Sequence, residues 1–189
     1  AQEMENQIMY MGKLLDSMFA MISLDHVRAL ETEAVDFNQV IRALEERVKN
    51  HLSQRGIRLS IDLYPSLPLV SGNVFELDRC LGNLVDNAVK FSPDNATITI
   101  KTDLDDTHML CEVSDEGTGI PSEKLDQIFN RFYKGDNSRN VGGSGLGLAI
   151  VKKIIDLHHG EIRVESTVNQ GTTFHIRLQH ITKDGKATG

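Results

Sequence analysis

A glycine-rich run, Gly142-Gly143-Ser144-Gly145-Leu146-Gly147, passes straight into the apolar-periodic stretch Leu148, Ala149, Ile150, Val151 and Ile154. Glycines there open a helix whose first amides lack intrahelical partners and whose dipole favours anions. The run follows a polar loop, so it is no Rossmann fingerprint, and it lacks the Gly-Lys-Ser/Thr end of a Walker A loop. An ordinary hinge is the competing reading. Any fold for this chain has to deliver that helix start to a ligand without the regular βαβ units of those two classes.

The pattern elsewhere says how. A helix from about Asn38 to Gln54 is followed by the alternation Ile57, Leu59, Ile61, Leu63, which marks a half-buried strand. Pro65 and Pro68 precede a second helix, about Val74 to Phe91, and Ser92-Pro93-Asp94-Asn95 is a turn. Two strands near 96–103 and 108–114 meet at Asp105-Asp106; a short helix, Glu123 to Phe129, leads to the polar loop 134–144. The glycine-led helix, starting at Gly145, ends at His159-Gly160, and strands 161–167 and 172–179 turn at Asn169-Gln170-Gly171. Strands that come in adjacent pairs form hairpins, so the expectation is a two-layer α/β sandwich, a mixed sheet of about five strands with helices on one face.

Ahead of it, Met4, Ile8, Met11, Leu15, Met18 and Ile22 repeat at heptad a/d spacing. One helix cannot bury that stripe; a second copy, a missing piece of a longer parent, or the chain's own domain has to cover it. Residues 28–36 read as a connector. The expected division is a partial hairpin over 1–28, a catalytic domain over 29–181 and a flexible tail over 182–189.

A net charge of -7 argues against a broad nucleic-acid surface. No apolar run approaches a membrane span, and a cytoplasmic setting is expected for this stretch, whatever anchor a longer parent carries. Cys80 and Cys111, each among apolar neighbours, are expected to be buried free thiols.

Three polar constellations carry the chemistry. Asn83, Asn87 and Lys90 share one helix face; an amide oxygen can ligate Mg²⁺ and an ammonium can meet a phosphate, although a solvated stripe would look the same. Asp115-Glu-Gly-Thr-Gly119 follows a strand; its carboxylate can accept from an exocyclic amine, or cap its own turn. The glycine helix start suits phosphate, with Arg131, Lys134 and Arg139 within reach on the preceding loop.

In this order the motifs resemble the ATP-binding catalytic domain of sensor histidine kinases, in the superfamily with DNA gyrase B, Hsp90 and MutL. Leu81-Gly-Asn-Leu-Val-Asp-Asn-Ala-Val-Lys-Phe-Ser92 is similar to the N box, Asp115-Glu-Gly-Thr-Gly119 to the G1 box, and Phe129-Asn-Arg-Phe132 to the F box. Gly143-Ser-Gly-Leu-Gly147 is similar to the G2 box and Gly171-Thr-Thr-Phe174 to the last turn. The resemblance implies Mg²⁺ and ATP as ligands. Asn87 would be the metal ligand, Asn83 a neighbour of phosphate or metal-bound water, and Lys90 a contact to the terminal phosphate. Asp115 would read the adenine amine, Gly119 would give the base room, and Thr172 would support it through water. Gly143, Gly145 and Gly147 would shape the triphosphate site, with Gly117, Ile120, Lys134 and Leu146 as further contacts and Arg139 as a catalytic cation.

The hydrolysing branches of that superfamily carry a Glu base where Asn83 stands, and an amide cannot take a proton from water. The resemblance therefore implies transfer to a histidine on a separate helical hairpin of a dimer, then to a response-regulator receiver. That hairpin's first helix, with its acceptor His, is absent; His26, followed by Val-Arg, does not match it. The competing function is a regulatory protein-binding module, as in degenerate kinase domains. Residues 134–144 hold one aliphatic anchor, Val141, so their amides are expected to exchange fast without ligand and slowly with Mg²⁺ and an ATP analogue.

Overall fold

The computed structural model describes residues 2–135 and 143–181. Arg139, the centre of the 134–144 loop and the tail 182–189 lie outside the described residues. Helix α1 (Gln2–His26) leads to β1 (Glu33–Val35), α2 (Phe37–Ser53), β2 (Arg58–Asp62), β3 (Val70–Gly72) and α3 (Val74–Phe91). Then come β4 (Thr97–Leu104), β5 (His108–Asp115), a 3₁₀ turn (Ser122–Gln127), α4 (Gly147–Leu157), β6 (Glu161–Thr167) and β7 (Gly171–Gln179).

Five strands form one mixed sheet in the order β2-β4-β5-β7-β6. Only β2 and β4 run parallel, joined by the crossover that contains α3; the other pairs are antiparallel. Alternation decides the layers. Ile98 and Ile100, Met109, Cys111 and Val113, and Phe174, Ile176 and Leu178 are buried under the helices, while Lys101, Glu112 and His175 keep the opposite face polar. Leu81, Leu84 and Val85 of α3 and Ile150, Val151 and Ile154 of α4 fill the same core. Each such side chain contributes about 1.5–3 kcal/mol of burial.

Local signals start and stop the helices. Asp36 caps α2, accepting from the Gln39 amide at 3.2 Å, and Asn73 caps α3, accepting from Glu76 at 3.1 Å. The orphan carbonyls at the end of α3 are met by Arg55, which donates to Val89 O and Ser92 O and pairs with Asp94. The connector read at 28–36 contains a strand: β1 pairs antiparallel with β3 as a small ribbon, Val35 opposite Val70. The helix expected from Gly145 begins two residues later, because Gly145 adopts φ +71° and Leu146 O accepts the first turn's bond from Ile150 at 2.9 Å. Cys80 and Cys111 are free and buried in the core, and burial pushes the Cys111 thiol up to about 12.

Candidate functional site

The helix layer and the sheet part above β5 and β7 to leave a cavity of about 840 Å³. Its wall includes Asn83, Asn87 and Lys90 from α3, Asp115 from β5, Gly119 and Ile120 from the following turn, and Thr172 from β7. Lys134, Gly143, Gly145 and Gly147 complete it, so eleven of the fourteen described residues singled out from sequence share one hollow. The three that do not line it are Gly117, Leu146 and Arg131, whose guanidinium pairs with Asp25 at 2.7 Å instead of reaching the cavity. Leu146 turns its side chain into the core at 1% exposure. Gly117 acts from behind, its amide donating to Asp115 Oδ1 at 2.8 Å.

Around Asp115 the site is tightly braced. Thr172 faces it in the β5–β7 register and also donates its backbone N–H to the carboxylate. Burial raises the Asp115 pKa, and those two donors pull partly against it. Gly119 has φ +67°, and a Cβ on it would lie 2.1 Å from Thr167 O. The Thr118 amide donates to Phe91 O at 3.2 Å and its carbonyl accepts from Asn169 at 2.8 Å. Ser166 was not legible as a site residue, yet its Oγ accepts from the Ile120 amide at 2.8 Å and meets Thr172 Oγ1 at 2.9 Å.

The other end is built from α3 and the start of α4. Asn83 Nδ2 donates to Arg79 O at 3.0 Å, which leaves its Oδ1 facing Gly147, where a Cβ would come within 3.2 Å. A Cβ on Gly143 would meet Lys90 Nζ at 2.6 Å. Lys90 lies 4.8 Å from the centroid of the Phe91 ring. Burial, and then the charge of Lys134, push its ammonium below the usual lysine range. An anion placed beside it would relieve both.

Residues 72–181 match the family described as histidine kinase-, DNA gyrase B-, and HSP90-like ATPase. The chain belongs to that family. Among curated relatives it is 38% identical over 162 residues to the signal transduction histidine-protein kinase ArlS of Staphylococcus haemolyticus, covering 80% of this chain and 33% of ArlS. The solved structure of the mycobacterial sensor histidine kinase MprB is 33% identical, with a TM-score of 0.70, covering 79% of this chain and 98% of that one. The Acinetobacter baumannii histidine kinase AdeS, at 22% identity, shares the fold over 96% of this chain and 84% of its own, with a TM-score of 0.77.

The chain is thus an ATP-binding catalytic domain of a histidine-kinase family protein, and it spans about a third of the length of the curated relatives it matches. No described helix is long and apolar enough to cross a membrane.

Proposed function

We propose that the cavity holds Mg²⁺ and ATP, and that the chain passes the γ-phosphate to an imidazole on a separate helical hairpin. An aspartate of a response-regulator receiver is then the next acceptor. The observation that supports this reading is one hollow with two chemistries. A desolvated carboxylate stands at one end. At the other, an ammonium and two amides surround a helix start kept clear of side chains.

The residues suit the ligands. Gly143 and Gly147 let Lys90 Nζ and Asn83 Oδ1 approach the backbone that leads into α4, which gathers an ammonium, an amide and a helix start where a phosphate chain can meet all three. Asn87, half-buried on the same face, offers a neutral oxygen for a cation that keeps most of its waters. Asp115 accepts from the adenine amine, with Gly119 leaving room for the base and Thr172 a buried hydroxyl beside it. Mg²⁺, when bound, spreads the charge of the phosphate oxygens. Lys90 neutralises charge on the terminal phosphate, and Gly145 and Gly147 present the helix start to it. Asn83 offers no base to activate water, so the bound nucleotide is kept for a second nucleophile.

The stripe of α1 supports a partner of the stated kind. Met4, Ile8, Met11, Leu15, Met18 and Ile22 stay between 38% and 66% exposed, and Phe19 widens the face. A second hairpin helix and a second copy of the chain would cover it.

Calorimetry with Mg²⁺ and a non-hydrolysable ATP analogue should show saturable binding; no heat at millimolar nucleotide would sink the assignment. Labelled ATP, mixed with the chain, a hairpin carrying the acceptor His and then a receiver, should label both in turn. Binding with label on neither would favour the regulatory module.

A further inference from the structure

Helix α1 has a second face, about 100° from its exposed stripe. Leu14, Ser17, Met21 and Leu24 recur at spacings of three, four and three. Met21 and Leu24 are buried at 6% and 2% exposure, where α1 packs on α4. At the end of α1, Asp25 pairs with Arg131 at 2.7 Å, which ties the helix to the segment leading to Lys134. About two and three turns earlier on the same side, Ser17, Leu14 and Lys13 form part of the cavity wall.

The position of that wall matters. Helix α4 begins with Gly147 and Leu148, both in the cavity, and α1 packs on α4, so the two helices border one hollow. The cavity wall as a whole is basic, with Lys13, Arg55, Lys90, Lys124 and Lys134 against Asp86 and Asp115. Ser17 Oγ donates to Lys13 O at 2.8 Å, a bond within the helix that leaves the ammonium uninvolved. Lys13 makes no ion pair among the described residues. A cation without a carboxylate partner, on the wall of a cavity that carries further lysines, is a poor arrangement for an empty site and a good one for an anionic ligand.

We propose that Lys13 is a phosphate-contacting residue of the nucleotide site, supplied by the helix that precedes the catalytic domain, and that the Asp25–Arg131 pair holds it in place. The inference rests on the nucleotide reading above. It makes binding of a nucleoside triphosphate dependent on docking of α1, because the helix and the catalytic domain each contribute part of one site.

The test is titration of the full chain with Mg²⁺ and either an ATP analogue or ADP. Lys13→Ala should weaken the ATP analogue about three- to five-fold and ADP less, and Lys13→Glu about ten-fold, with both effects shrinking at high salt. Asp25→Arg, which touches no cavity residue, should weaken the ATP analogue in the same direction, and adding Arg131→Asp should restore it. If the wild-type chain binds and the Lys13 variants bind like it, or lose both nucleotides equally, the assignment of Lys13 is wrong and the nucleotide site stands. If Asp25→Arg leaves binding unchanged, the docking role of the pair is wrong. A wild-type chain that binds neither nucleotide overturns the nucleotide reading and this inference with it.

Discussion

The two ends of the cavity are made by different means. At the Asp115 end almost every polar group already has a protein partner. The carboxylate has the Gly117 and Thr172 amides, Ser166 links Ile120 to Thr172, and Gly119 is clamped against Thr167. At the helix-start end the functional groups stand against glycine backbone: Lys90 Nζ beside Gly143, Asn83 Oδ1 beside Gly147. Asn87 makes no side-chain hydrogen bond among the described residues. A planar base is met by a pre-formed shape, whereas a phosphate chain with its cation is met by charges and donors that wait for it. Preorganisation serves recognition at one end, and unsatisfied electrostatics drives binding at the other.

The largest effect should come from the braced end. Asp115→Asn removes the charged acceptor and presents an amide donor to an amine, so affinity for an ATP analogue should fall about 10- to 100-fold. Because ADP carries the same base, it should lose as much, and calorimetry on both nucleotides checks this. A variant that spared ADP would place Asp115 at the phosphates and collapse the distinction between the ends.

Two glycines sharpen the contrast next. In Gly119→Ala the new Cβ meets backbone at 2.1 Å, at φ +67°, so the fold should lose about 2 kcal/mol or more, read as a drop of several degrees in Tm. Gly147→Ala meets only the Asn83 side chain, at 3.2 Å in the first turn of a helix. Stability should stay within about 0.5 kcal/mol while nucleotide affinity falls. Equal losses of stability would mean that both ends are rigid.

Smaller, and confined to the open end, are the α3 side chains. Asn87→Ala should remove most of the Mg²⁺ dependence of binding. Lys90→Ala should weaken the ATP analogue about ten-fold and ADP distinctly less. Titrations with and without Mg²⁺ separate the two, and equal losses for ATP and ADP would remove Lys90 from the terminal phosphate.

The sequence exposes these groups by spacing, three polar residues on one helix face and glycines where a helix has to start. Asn83, Asn87 and Lys90 interrupt no apolar position of α3, and the helix start cannot be built without Gly145 in a left-handed conformation. What the sequence hides is non-local. The β1–β3 ribbon joins two three-residue strands, too short to alternate visibly, across the intervening residues 36–69. Arg55 finds the end of α3 from another element, and Ser166 acquires its role only when β6 meets the turn after Gly119. In α1 the strong heptad stripe masks the weaker face beside it, since Ser17 breaks the apolar repeat and Lys13 reads as surface.

The smallest effect concerns the joint that holds the open end in shape. His158, at the end of α4, donates from Nδ1 to Ile154 O at 2.7 Å and accepts at Nε2 from the Asn73 amide at 3.0 Å. It links the start of α3 to the end of α4, and so fixes how Asn83 faces Gly147 one helix length away. Nε2 can accept only when the ring is neutral, and burial holds the His158 pKa below the usual histidine value. The unfolded chain therefore binds this proton more readily than the fold. The stabilisation is complete above about pH 6.5, the ordinary histidine value, and is lost as pH falls through the lower folded one. Asp115 works in the opposite sense, since its raised pKa favours the folded form on acidification, so the measurement belongs in an Asp115→Asn background. Between pH 7.5 and 5.5 that protein should lose stability in chemical denaturation. Adding His158→Gln should lower stability by about 1 kcal/mol at pH 7.5 and flatten the slope below it. An unchanged slope would show that His158 is not the titrating joint, and that the facing of α3 and α4 is set by their apolar contacts alone.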